Sequence, residues 1–90
     1  MADLPKDPLA LFGRSRVRQQ LGRRAEAIAD LDGAVALAPG FAEAIGLRGV
    51  IKLEEKRRAE AAADLQRAIE LKPSLEPAFG SYLRDATRGE

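Results

Sequence analysis

The sequence predicts an all-α fold: two helical hairpins of one repeated design, followed by a fifth helix. Three observations predict it. Composition is the first. The 90 residues include 17 Ala, 12 Leu and 11 Arg, all strong helix formers, and only 4% aromatics. The second is an internal period. Displaced by 34 residues, segments 11–41 and 45–75 agree at 12 of 31 positions, where this composition alone gives roughly three. The third is punctuation: Gly22, Pro39-Gly40 and Pro73-Ser74 cut the chain into helix-sized lengths.

The first helix is expected over Pro8–Leu21, with Asp7 as its cap and Pro8 at the first helical position, which needs no N–H. Gly22 supplies the tight turn. The second helix, Arg24–Leu37, carries the apolar stripe Ala27, Ile28, Leu31, Ala34 and Val35, spaced i, i+1, i+4, i+7, i+8. Pro39-Gly40 ends it. The third helix, Ala42–Glu54, turns at Glu55-Lys56 into the fourth, Arg58–Leu71, with the matching stripe Ala61, Ala62, Leu65, Ala68 and Ile69. Lys56 stands where the first turn has Gly22, which implies strain if that position is left-handed. Pro73-Ser74 closes the unit, and Ser74 is placed to cap a fifth helix over Leu75–Thr87, amphipathic through Phe79, Tyr82, Leu83 and Ala86. The division is therefore an N-terminal arm, 1–7; repeat one, 8–41; repeat two, 42–74; and a terminal helix, 75–88, all in one domain.

Composition also excludes function classes. There is no Cys or His, so zinc, haem and iron–sulfur ligation and His-based nucleophilic catalysis are absent, and no cofactor or metal is expected. Asp30, Asp32, Asp64, Glu54, Glu55, Ser15 and Tyr82 form no convergent acid–base pair, so the chain is expected not to be an enzyme. Net charge is +1, which argues against nucleic acid or an anionic membrane as partner. The start lacks a secretory pattern and no apolar run spans a bilayer, so the default location is cytoplasmic.

These residues carry a resemblance. A 34-residue helix–turn–helix with small residues at Ala27/Ala61 and Ala34/Ala68 and a closing Pro39/Pro73 resembles the tetratricopeptide repeat. In this alignment Leu11 and Ile45 hold the Trp place, Ser15 and Gly49 the Gly place, and Leu31 and Leu65 the aromatic place. Arg14 and Arg48 depart from the family's Leu, and Arg18 and Lys52 from its Tyr. The resemblance implies a short right-handed α-solenoid, with the fifth helix as its cap.

Two sets of candidate residues follow. Folded about its turn, each hairpin sets Arg14 opposite Asp30 and Arg48 opposite Asp64, which reads as an interhelical Arg–carboxylate pair fixing register, with ligand binding as the alternative role. The concave surface implied by the family runs along the first helices. It would comprise Leu9, Phe12, Arg16, Gln19 and Gln20, then Glu43, Gly46, Val50, Leu53 and Glu54, with Gly80, Arg84 and Arg88 from the last helix. Val50 and Leu53 are also explained as ordinary packing residues. Chaperone-binding members of the family hold a C-terminal carboxylate with Lys, Asn and Arg; here Phe12, Arg16 and Val50 stand at those Lys and Asn places, against that role.

The expected function is a non-catalytic adaptor docking a peptide or protein segment in the concave groove. The alternative is self-association, as a dimer, a domain swap or stacked repeats, because two repeats are fewer than the three that arrays usually need. Such a dimer would bury Phe12 or the face of Phe79 and Tyr82. A weaker alternative is RNA binding through Arg14, Arg16, Arg18, Arg23 and Arg24, five cations in eleven positions without an acid. An ion-paired, solvated helix face accounts for the same run.

Overall fold

Helix ends are set by local chemistry. A computed structural model describes residues 6–88, and residues 1–5 of the arm and 89–90 lie outside the described residues. Asp7 accepts the Leu9 amide at 3.0 Å, and with Pro8 it starts α1, Pro8–Gln20. Then come α2, Arg24–Leu37; α3, Ala42–Glu54; α4, Arg58–Leu71; a 3-10 turn, Pro73–Leu75; and α5, Glu76–Thr87. The described residues are all helix and turn.

Both hairpins turn in one way. Gly22 and Lys56 adopt left-handed φ values of 79° and 67°. Around them the Arg23 amide reaches the Arg18 carbonyl and the Gly22 amide that of Gln19; Arg57 and Lys56 repeat the pattern on Lys52 and Leu53. These paired bonds satisfy the last carbonyls of the first helix in each hairpin. Lys56 thus holds a conformation that costs an L-residue about 1 kcal/mol.

Ser74 does not cap the fifth helix. Pro73 starts a tight turn, closed by the Leu75 amide on the Lys72 carbonyl, and Ser74 lies inside it. Leu75 is the residue before α5, which starts at Glu76 without a side-chain cap, and Pro77 sits in its first turn.

Successive helices pack on one another, giving an elongated body of 44 × 25 × 17 Å. Two apolar clusters hold it. Leu11, Ala27, Ile28, Leu31 and Ala34 of repeat one enclose Ala44 and Ile51 of α3, so the first cluster is also the joint between repeats. Val50, Ala61, Leu65 and Ala86 form the second, which joins repeat two to α5. The paired alanines Ala27/Ala61 and Ala34/Ala68 are fully buried and let the helix backbones approach.

Two glycines of α3 record such close approaches. A Cβ on Gly49 would press on Leu65 Cγ, 2.8 Å away, and on the Ala61 carbonyl; Ser15 fills the equivalent place in α1, fully buried, donating its hydroxyl to the Phe12 carbonyl. On Gly46 a Cβ would overlap the Phe79 ring, which lies against the α3 backbone. The face of Phe79 is therefore used within the chain, and of the pair expected at a dimer contact only Tyr82, 40% exposed, is open.

Candidate protein-interaction face

The site is framed by ion pairs repeated at the 34-residue period. Arg14 donates through Nε and Nη2 to both oxygens of Asp30, at 3.0 and 2.7 Å. Arg18, one turn later, donates to the same carboxylate at 3.0 and 3.1 Å. In repeat two Arg48 grips Asp64 at 2.9 and 3.0 Å, and Lys52 approaches it at 3.1 Å. Glu26 and Glu60 complete each set, 3.9 and 3.7 Å from Arg18 and Lys52. Both aspartates are buried, and no buried side-chain polar atom among the described residues lacks a partner. The hydrogen bond to Asp30 raises the Arg14 pKa above its ordinary value, and that to Asp64 does the same for Arg48.

The sequence pairs Arg14 with Asp30 and Arg48 with Asp64, but it leaves Arg18 and Lys52 as unexplained departures. They are the second cations of each aspartate. The signal available was the spacing: a base at i+4 from each Arg, and a Glu four residues before each Asp. Arg48 has a further partner that sequence reasoning missed. Its Nη1 donates to Asp32 of α2 at 2.9 Å, tying repeat two to repeat one.

The same accounting explains most of the arginine run. Arg14 and Arg18 hold Asp30, Arg23 lies 3.9 Å from Glu26, and Arg24 pairs with Glu54 at 3.2 Å. Arg16 is exposed and makes no ion pair among the described residues.

The family model of the tetratricopeptide repeat matches residues 42–75. A solved structure, the first TPR of Spaghetti (RPAP3) bound to the HSP90 peptide SRMEEVD, resembles the chain with a TM-score of 0.86 at 28% identity. The likeness covers 93% of this chain and 66% of that one. Residues 42–75 thus match a tetratricopeptide repeat (TPR), and the fold resembles that of a solved TPR domain. The chain spans just under two thirds of the length of that solved chain, and the curated proteins contain no sequence match to it.

In this chain the expected groove residues separate into three groups. Leu9, Arg16, Gln20 and Arg84 are exposed. Phe12 and Gln19 are half-buried: the Phe12 ring packs tilted on Phe41, centroids 5.2 Å apart, and Gln19 donates to Glu54 at 3.3 Å. Glu43 accepts from Lys72 at 2.6 Å, which holds its carboxyl below the usual carboxylate range. The third group is withdrawn. Val50 is buried in the second cluster and Leu53 packs on it, with Gly46 under Phe79 and Gly80 also buried. Val50 is thus corrected from surface to core. The cause is α5: its Phe79 ring takes the space that Gly46 leaves beside α3, and Leu83 and Ala86 pack in the same cluster as Val50.

Proposed function

We propose that this chain is a non-catalytic scaffold module that docks a segment of a partner protein on the inner face of its first helices. One observation carries the reading: a TPR with the same fold, 28% identical, takes a peptide. The side chains support a specific chemistry. The paired rings of Phe12 and Phe41 offer an apolar ledge for an aliphatic or aromatic anchor. Arg16 and Arg84, both exposed, supply charge-assisted donors for carboxylates of the docked segment. Such groups set orientation and on-rate, while the anchor supplies most of the affinity.

The carboxylate clamp of chaperone-binding relatives is a poor description of this face. Phe12, Arg16 and Val50 stand at its Lys and Asn places, and buried Val50 offers no hydrogen bond. Calorimetric titration with SRMEEVD should give no saturable binding, and tight binding would contradict this assignment. The docking reading itself is tested by affinity capture with wild type and with Arg16→Glu plus Arg84→Glu, both exposed substitutions. Partners retained by wild type and lost by the variant support it. Partners retained equally by both refute it.

A further inference from the structure

We propose that the outer face of α1 is a second docking surface, for an acidic amphipathic helix of a partner protein. The molecule's own second repeat is the template. On α3, Ala44 and Ile51 are fully buried against repeat one and Leu47 packs beside them. Thirty-four residues earlier stand Ala10, Val17 and Gly13, and all three are exposed. Val17 is 55% exposed, and a Cβ on Gly13 would meet nothing within 4 Å. Just past the end of α1, Leu21 is also 63% exposed, where repeat two has Glu55. Solvent alone requires no such stripe of apolar and small residues on one helix face.

Charge identifies the occupant. The helix that covers α3 is α2, and its Asp32 accepts from Arg48 Nη1. Arg14 uses Nε and Nη2 on Asp30 as Arg48 does on Asp64, but its Nη1 has no acceptor among the described residues. Its side chain stays 34% exposed, against 19% for Arg48. Arg16 is exposed on the same helix, and α1 contains no acid. The occupant that completes this pattern is a helix with a stripe of small apolar residues and a carboxylate at the place of Asp32. A second copy fits poorly. Its α4, the helix equivalent to α2, carries Gln66 at that place and is covered by α5. Two α1 faces together would oppose Arg14 to its own copy.

The chain contains a ready probe: a capped synthetic peptide of residues 24–38, the α2 sequence. An isolated helix of this length is marginal in water, so its folding is coupled to binding and the complex is weak. Amide shifts of the labelled chain report it. The expected changes centre on Ala10, Gly13 and Val17, and Val17→Asp in the protein weakens binding about tenfold or more. Changing Asp32→Asn in the peptide weakens it about twofold to fivefold, the range of a half-exposed ion pair. Circular dichroism verifies that the Val17→Asp protein remains folded. Absence of shifts on α1, or binding indifferent to Val17→Asp, overturns the proposal. Concentration-dependent α1 shifts without peptide, abolished by Val17→Asp, would assign the face to a second copy and overturn the acidic-partner assignment.

Discussion

Asp64 is the most exposing place to perturb the hairpin. It is buried and is held by Arg48 and Lys52, whose side chains are only 19% and 12% exposed. Asp64→Ala strands both cations. Removing one partner of a fully buried pair costs about 3–5 kcal/mol. Here Arg48 keeps Asp32, and Glu60 remains 3.7 Å from Lys52, so the expected loss is about 2–3 kcal/mol. For a domain of this size that is on the order of 10–20 °C in Tm. Asp30→Ala should cost roughly half as much, because Arg14 and Arg18 are 34% and 28% exposed and turn to water more readily. Thermal melts followed by far-UV circular dichroism, with urea titrations alongside, measure both. Asp64→Leu with Arg48→Met should recover part of the loss, since an apolar replacement strands one cation fewer. Unchanged Tm for both alanine variants would refute the reasoning, and a larger loss at Asp30 would refute its burial argument.

Three further perturbations test the packing and the charges. Lys56→Gly relieves a left-handed lysine and should stabilise by about 0.5 kcal/mol, while Gly22→Ala at the matching turn should cost about 1 kcal/mol; denaturation midpoints moving in the opposite directions would contradict the turn geometry. Gly46→Ala should cost about 1–3 kcal/mol by displacing the Phe79 ring, speed hydrogen exchange in α5, and lose much of its effect in a Phe79→Ala background; full additivity of the two would argue against the contact. Lys72 lowers the Glu43 pKa, so that pair contributes above the ordinary glutamate value of about 4.3 and is lost as pH falls through the lowered folded value. Because the pair is solvent-accessible, Lys72→Met should cost about 0.5 kcal/mol or less near neutral pH and nothing once acid has protonated the Glu43 carboxyl; a difference persisting in strong acid would exclude the ion pair as its cause.

The fold was legible in the sequence because its signals are local and repeated. Asp7-Pro8, Gly22 and the two Pro breaks act within one turn of chain, and the 34-residue period states the hairpin twice. The fifth helix was legible as an element but not in its start, since Ser74 suits a cap by type while Pro73 draws it into a 3-10 turn. The pairing of each Arg with an Asp sixteen residues on follows from antiparallel geometry. Sharing of each Asp by a second cation depends on side-chain reach, and so Arg18 and Lys52 looked like departures. The groove was least legible. Whether Val50 faces a ligand or α5 depends on how far the last helix folds back, which Gly46 decides by admitting one aromatic ring.

The scaffold reading rests on where a partner touches the chain. The direct measurement is an amide-shift titration of the labelled protein with the docking segment of a captured partner. Shifts centred on Phe12, Arg16, Gln19, Gln20 and Arg84, abolished by Arg16→Glu plus Arg84→Glu, are the predicted result. Shifts that leave these residues untouched would contradict it.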